Sequence, residues 1–426
     1  MTRFFLHNDG VTVPEQAPSN AVDVLIIGAG PSGAAAAIHA ARRGFSVLLT
    51  DQASFPRDKT CGDGLTPRAI TQLRALGIDV TSRYHNQGLK LHGFGGSQTV
   101  PWPNSSFGQV GSAMPRREFD QLLFDAAQRL PEVAVRCGVA ARTPNFRGGR
   151  LDSVTFADGH TVRAKFVLVA DGVRSTFGKT LGRTWHRGEV YGIAARSYCD
   201  TARHDEPWIH SHLELRDPEG GIQPGYGWIF PLGNGQANVG CGALSTESRP
   251  ARINTKKLLH HYAATCGDGW DFGTPQQVTS ALLPMGGAVS NVAGPNWMMI
   301  GDAAACVNPL NGEGIDYGME TAALAVEHLD EHKDLTLVWP HTLRQHYGEA
   351  FLLARTAARL LTYPQFLPLT GPLALRGRLG QAIMPAAARL MGNLVTQEDT
   401  DLVARAWRSA GAAMQRFRGS RPLWDA

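Results

Sequence analysis

Val22 and the run Val24 to Ile27 form a short apolar stretch with β-branched members, the pattern of a buried parallel strand. The run ends in Gly28-Ala29-Gly30-Pro31-Ser32-Gly33, and an alanine-rich segment from Ala34 to Arg43 then reads as a helix stopped by Gly44. Phe45 to Thr50 reads as a second strand ending on Asp51. Farther along, residues 71–78 look helical up to Gly77. Between Arg116 and Leu130, Phe119, Leu122, Leu123, Ala126, Ala127 and Leu130 recur at helical spacing. Val133 to Val139, Leu151 to Phe156, Phe166 to Ala170 and Trp297 to Ile300 read as strands, with Asp158-Gly159 a hairpin turn. Ile315 to Leu329 is a long helix. Residues 88–103 and 185–245 alternate or carry turn glycines, which predicts strands of another sheet. The remainder is mostly helical, interrupted by Pro364, Pro368, Pro372 and Pro385.

Strand, glycine turn, helix, second strand and terminal acid together predict a dinucleotide site. Gly28 permits the sharp turn, Gly30 lets backbone N–H groups approach a pyrophosphate, and Gly33 brings helix and strand together. The helix N-terminus, at Pro31 and Ser32, then faces the phosphates. Asp51, eighteen residues past Gly33, is placed to accept hydrogen bonds from a ribose. The competing reading is a glycine-rich turn of an ordinary α/β protein. Two further signatures lie far downstream at strand ends: Ala170-Asp171-Gly172 and Gly301-Asp302. The second is followed by Pro309-Leu310-Asn311-Gly312-Glu313-Gly314, which leaves bare N–H groups at a helix N-terminus before Ile315. Three separated signatures point to FAD rather than NAD, since an acid at such a strand end can hold a ribityl chain.

With 426 residues, 43% of them hydrophobic and 18% charged, the chain suits a globular protein of two or three lobes. No apolar run reaches the length of a membrane-spanning helix, and the first ten residues lack a signal-peptide core. Six scattered cysteines with no C-x-x-C pair argue for a reducing cytoplasm and against zinc. A net charge of +4 is too weak to argue for nucleic acid, although residues 341–426 alone carry eleven Arg, no Lys and five acids.

The glycine turn, the Asp171-Gly172 motif and the Gly301-Asp302 motif together resemble the FAD-dependent hydroxylase-type superfamily. Within it, Pro56-Arg57-Asp58-Lys59-Thr60-Cys61-Gly62-Asp63-Gly64-Leu65 and Tyr226-Gly227-Trp228-Ile229-Phe230-Pro231 resemble the geranylgeranyl reductase family. Leu232 departs from the lysine common in that family. With the following Gly-Asn-Gly it is similar to the menaquinone reductase branch, over about residues 21–410.

The resemblance implies an α/β fold: a Rossmann-like FAD-binding domain of the glutathione-reductase/hydroxylase type, a mixed, largely antiparallel substrate sheet, and a helical C-terminal lobe. The expected divisions are a disordered extension 1–20, FAD-binding segments 21–85, 108–184 and 280–335, substrate-sheet segments 86–107 and 185–279, and a lobe 336–426. It places Asp171 near the pyrophosphate and the nicotinamide side, Asp302 on the ribityl chain and Arg116 near the FAD phosphates. Arg57, Cys61, Gly62 and Val139 are also implied to line the cofactor. Tyr226, Trp228 and Phe230 alternate, so a strand points all three to one face. They are expected to wall an isoprenoid cavity; from spacing alone a core-facing stripe is the plainer reading.

Cys61, in a loop with Arg57 and Lys59 that would lower its pKa, is implied to face the flavin as a proton relay or gate, against an inert buried thiol. His92, His210 and His212 read as lone structural histidines. The implied activity is reduction of an isolated double bond in a menaquinone side chain, by NAD(P)H or a redox protein as unidentified donor. Alternatives are a geranylgeranyl-lipid reductase, an FAD-dependent aromatic hydroxylase, or a flavoprotein with a non-catalytic role. A flavin halogenase is disfavoured because its W-x-W-x-I-P is replaced here by Tyr-Gly-Trp-Ile-Phe-Pro. From Pro364 to Val395 there is no acid, but Arg376, Arg378 and Arg389 lie among many leucines. The expectation is a cytoplasmic protein held peripherally on the inner membrane face, or leucines that only cover the substrate cavity.

Overall fold

The computed structural model describes residues 20–266, 269–396, 399–418 and 423–424. The expected disorder of residues 1–20 falls, but for Asn20, outside them. Strand Ala21–Ile27 is central to a parallel sheet because it is apolar on both faces and can be covered on both. It pairs with Val47–Asp51 on one side and Thr161–Val169 on the other. Val133–Cys137 and Trp297–Met299 extend the sheet outward. Helix Pro31–Arg42, nearly all small side chains, is buried between this sheet and helices Arg116–Gln128 and Ile315–Glu327. An antiparallel pair, Ala141–Arg147 and Arg150–Phe156, hangs from Thr161–Val169.

The second sheet has seven strands in the order Gln276–Pro284, Tyr191–Asp200, Gln236–Ser245, Gly225–Pro231, Ile209–His212, Gly88–Gly93, Gly96–Pro101. All pairs are antiparallel except Ile209–His212 with Gly88–Gly93. Helix Thr255–Thr265 covers one face. The expected fold class, with its α/β dinucleotide-binding part, mixed sheet and C-terminal helices, is borne out. The C-terminal region runs through Leu335–Leu361, Phe366–Leu375, Gly377–Met391 and Leu402–Arg418. The chain then returns to the parallel sheet, where Trp424 is fully buried and donates its Nε1–H to the Ala304 carbonyl at 2.7 Å. Among the described residues no helix is long and apolar enough to cross a membrane.

Candidate active site

Because the five strands run parallel, their carboxyl ends share one edge, and the three sequence signatures meet there. Gly28 has φ +104°, and a Cβ on it would lie 2.3 Å from the Ala170 carbonyl oxygen. The first turn therefore abuts the second motif through bare backbone. A Cβ on Gly33 would lie 1.7 Å from the Gly28 oxygen, so helix and turn also need glycine to touch. Gly30 caps helix Pro31–Arg42 without a side-chain bond, leaving the first N–H groups open to an anion. Gly301, at φ +58°, sits against Ser32, which draws the third motif onto the start of the same helix.

The acids at this edge are held individually. Asp51 accepts N–H bonds from Ala29 and Ala53, each at 2.9 Å. Asp171 accepts from the Phe177 N–H at 2.8 Å, while its Oδ1 is buried without a partner among the described residues. Burial raises its pKa. Asp302 pairs with Lys59 Nζ at 2.7 Å. Arg183, which sequence reasoning missed, feels both Asp171 and Asp302 and bonds the Ala303 carbonyl at 2.6 Å. Gly172 has φ +74° and Gly312 +78°, both turn conformations that side chains resist. Val139 follows Val133–Cys137 at the same edge. Pro309, Gly312 and Gly314 form the loop that enters helix Ile315–Glu327.

The cations here are not free, and one expectation about them needs correction. The guanidinium against Gly30 is Arg57, 3.2 Å from a Cβ built there. Arg116 is buried and clamps Asp120 with two bonds of 2.6 and 2.8 Å, and Asp120 in turn holds Arg57 at 3.1 Å. Arg57 and Lys59 do not lower the Cys61 pKa, as was expected of them. Both are taken by acids, and the cation beside the thiol is Arg116. Burial outweighs Arg116 and pushes the Cys61 thiol up, so it stays protonated at neutral pH.

The Cys61–Gly64 loop docks on the second sheet. Phe230 lies across it: Cβ atoms on Gly62 and Gly64 would come within 3.0 and 3.1 Å of the ring. Ring centroids of Tyr226 and Trp228 are 5.8 Å apart, and those of Trp228 and Phe230 6.1 Å, so the three do share one face. Tyr226 donates to the Asn311 carbonyl at 2.6 Å, which ties this face to the loop after Asp302. Asn238 is the hub. Its amide donates to the Cys61 carbonyl and to Asp63, at 2.8 and 2.9 Å, and accepts from Trp228 Nε1 at 2.8 Å. Asp63 also accepts from Tyr198 at 2.7 Å, is fully buried, and has a pKa raised to about 6 by burial. Asp63 lay unnoticed inside the quoted motif, and Asn238 and Tyr198 carry no local signal.

The histidines are not lone. His92 bonds His210 at 3.0 Å and stacks on His212, with centroids 4.7 Å apart. They lie on the opposite face from Trp228, toward helix Thr255–Thr265, and no metal-holding cluster occurs among the described residues.

A turn too tight for side chains, an open helix N-terminus and acids at neighbouring strand ends fit FAD, and together define an FAD-dependent oxidoreductase. Residues 21–333 match the FAD binding domain family. The chain is 52% identical to menaquinone reductase of Mycobacterium tuberculosis strain H37Rv over 92% of its own length and 96% of the relative's. It is 30% identical to digeranylgeranylglycerophospholipid reductase 1 of Methanopyrus kandleri over 80% and 90%. The crystal structure of a geranylgeranyl bacteriochlorophyll reductase-like protein from Thermoplasma acidophilum superposes with TM-score 0.74 at 21% identity, covering 92% of this chain and 99% of that one. The chain belongs to the geranylgeranyl reductase family of FAD-dependent oxidoreductases, on its menaquinone reductase branch.

Proposed function

We propose that this FAD-dependent isoprenoid reductase saturates a carbon–carbon double bond in the side chain of a menaquinone. One observation carries the reading: the Cys61–Gly64 loop lies against the face of Tyr226, Trp228 and Phe230, next to the strand ends that fit FAD. FAD, when bound and reduced, supplies a hydride. The chain's residues supply the rest. Gly28, Gly30, Pro31, Ser32, Gly33 and Asp51 receive the adenosine and pyrophosphate end. Arg57 is the cation nearest that turn, and Arg116 supports it through Asp120. Asp171 and Gly172 flank the pyrophosphate, with Val139 beside the Asp51 strand end. Gly301 and Asp302 hold the ribityl chain. Pro309, Gly312 and Gly314 form the turn that aims the N-terminal end of the helix beginning at Ile315 toward the ring. An isolated alkene is polarised by nothing in the substrate, so the site must be dry and lined with aromatic faces where positive charge develops. Tyr226, Trp228 and Phe230 give that wall, and Gly62 leaves room for it. The neutral Cys61 thiol serves as relay or gate and not as a nucleophile.

The tail of a menaquinone resides in a bilayer, and the C-terminal helices give a surface for meeting it. Leu369, Leu373, Leu379 and Ile383 are exposed, together with Arg378. Arg389 does not take part as expected, since it is buried and holds Asp399 at 3.1 Å, and Arg376 is bound to the Phe94 carbonyl. Leu375, Met384 and Leu390 are buried as well.

The test is anaerobic incubation of chemically reduced holoenzyme with menaquinone in lipid vesicles. A mass gain of two hydrogens supports the reading. Unchanged quinone beside a reduced digeranylgeranyl phospholipid assigns the other lipid class, and a gain of one oxygen under air assigns a hydroxylase.

A further inference from the structure

Alkene reduction needs a proton as well as a hydride, and Cys61 and Tyr226 both hold theirs tightly under burial. A third group has its charge felt by both. Glu313 closes the loop Pro309–Gly314 and lies just before helix Ile315–Glu327. Its backbone is fixed from both sides: its N–H donates to Asn311 Oδ1 at 2.8 Å, and its carbonyl accepts from Asn308 at 2.7 Å. The same Asn311 accepts the Tyr226 hydroxyl through its carbonyl at 2.6 Å. One carboxyl oxygen of Glu313, Oε1, accepts the Ile315 N–H at 3.1 Å. Oε2 has no hydrogen-bond partner among the described residues and is not enclosed. Cys61 and Tyr226 both sense the charge of this carboxyl. A half-buried acid is therefore pinned by one oxygen and open at the other, on the loop whose Asn311 carbonyl holds the Tyr226 hydroxyl.

We propose that Glu313 is the acid that protonates the alkene. The inference rests on the reading of the protein as an isoprenoid reductase. In the step, the Oε2–H bond and the alkene π bond break. One carbon takes the Glu313 proton and the more substituted carbon takes the hydride from reduced flavin. Two C–H bonds form, the alkene is reduced by two electrons, the flavin is oxidised, and Glu313 is left as carboxylate until water reprotonates it.

The groups facing Glu313 keep it neutral until then. Burial raises its pKa well above the usual range, and Asp316 and Asp302 add like charge, with Arg116 opposing. Asp316 is its closest competitor for a proton. Asp316, however, accepts from Thr66, Asn393 and the Tyr317 N–H at 2.8, 2.7 and 2.6 Å, and has Arg68 nearby. Burial raises the Asp316 pKa as well, but these four partners oppose the rise, so of the two acids Glu313 is raised the further and is the one that holds a proton.

The experiment pairs Glu313→Gln with wild type and reads two quantities. In the protein without substrate, infrared difference spectra at neutral pH are expected to show a protonated-carboxyl band that Glu313→Gln abolishes. In single turnover of reduced holoenzyme, Glu313→Gln is expected to slow alkene reduction at least about 100-fold, the span of general acid catalysis, with bound FAD retained. Glu313→Asp is expected to stay about tenfold above Glu313→Gln, because an acid is restored. Should Glu313→Gln not fold, Glu313→Asp against wild type carries both readouts, the band being shifted rather than lost. A missing band, or a Gln variant within about threefold of wild type, overturns the assignment. If the band is present but wild type reduces no isoprenoid, the functional reading fails first and the donor role falls with it.

Discussion

The two faces of the seven-stranded sheet are built alike and end differently. On one, Trp228 lies flat on Gly240, where a Cβ would come within 2.1 Å of the indole. On the other, Tyr262 lies on Gly227, with 2.3 Å left for a Cβ. Each face couples its large ring to a buried polar chain: Trp228 to Asn238 and Asp63, and Tyr262 to His212 at 2.6 Å. The difference lies in the cover. Helix Thr255–Thr265 belongs to the sheet's own neighbourhood and seals its face. The cover on the Trp228 face is the Cys61 loop, which belongs to the parallel sheet's edge. A polar hub under a helix stabilises a fold. The same kind of hub under a loop from another sheet positions one half of a site against the other.

That contrast breaks most sharply at Asn238. Replacing it with Leu strands Trp228 Nε1 and the Cys61 carbonyl, at about 1–3 kcal/mol for each unpaired buried group. The expected result is a loss of roughly 2–6 kcal/mol in denaturant unfolding, and a fall in turnover beyond tenfold as the loop shifts, since misplacement by ~1 Å can cost 10²-fold. The matching change on the other face, Tyr262→Phe, is expected to cost about 1 kcal/mol and leave turnover unchanged. Equal effects of the two on turnover would erase the distinction.

The faces also respond to acid with opposite sign. Asp63 has its folded pKa raised from 3.8 to about 6, so the folded state binds the extra proton and this face gains stability as pH falls from about 6 to 3.8. His210 and His212 are lowered from 6.5 to about 4 and about 3 by burial, with Lys90 and His92 adding to the effect on His210 and Glu206 opposing it. The unfolded chain binds those protons, so this face loses stability as pH falls through the same range. Each group moves stability by up to ~1.4 kcal/mol per pH unit. Asp63→Asn is expected to steepen the loss between pH 6 and 4, and His210→Gln to flatten it, in urea titrations at both pH values. Identical slopes would place these groups in contact with solvent.

How much of this was readable beforehand follows from distance along the chain. The glycine turn, the two downstream motifs and the Tyr226–Phe230 stripe are local: a period of two, or a backbone that admits no Cβ, is written in adjacent residues. Asp63 stood inside a recognised motif, yet its partners Tyr198 and Asn238 lie 135 and 175 residues away. Arg57 and Lys59 looked like free cations because nothing near them in sequence shows Asp120 or Asp302, and Arg389 because its acids, Asp399 and Asp401, follow the end of its helix and reach it only when the chain folds back. The three histidines looked isolated because their contact depends on strand pairing between Gly88–Gly93 and Ile209–His212.

The smallest expected effect concerns the surface that neither cover reaches. Leu369→Glu with Leu373→Glu is expected to weaken flotation on anionic vesicles about tenfold, as apolar burial is lost. Arg378→Gln should weaken it about fivefold, the worth of roughly 1 kcal/mol. Arg389→Gln is expected to lower the melting temperature instead. Vesicle binding untouched by the leucine changes would make these side chains ordinary surface.

The order of strands in the parallel sheet also sets a schedule for biosynthesis. Thr161–Val169 receives its neighbour on one side from Ala21–Ile27, already made, but on the other Arg150–Phe156 covers only its start, and Val167 to Val169 wait for Trp297–Met299. Between them the ribosome must produce most of the second sheet, on the order of ten seconds of elongation at ~5–20 residues per second. Through that interval the growing chain carries an apolar strand whose last residues are bare on one side, the kind of edge that chaperones occupy and that nascent neighbours on a polysome can pair with.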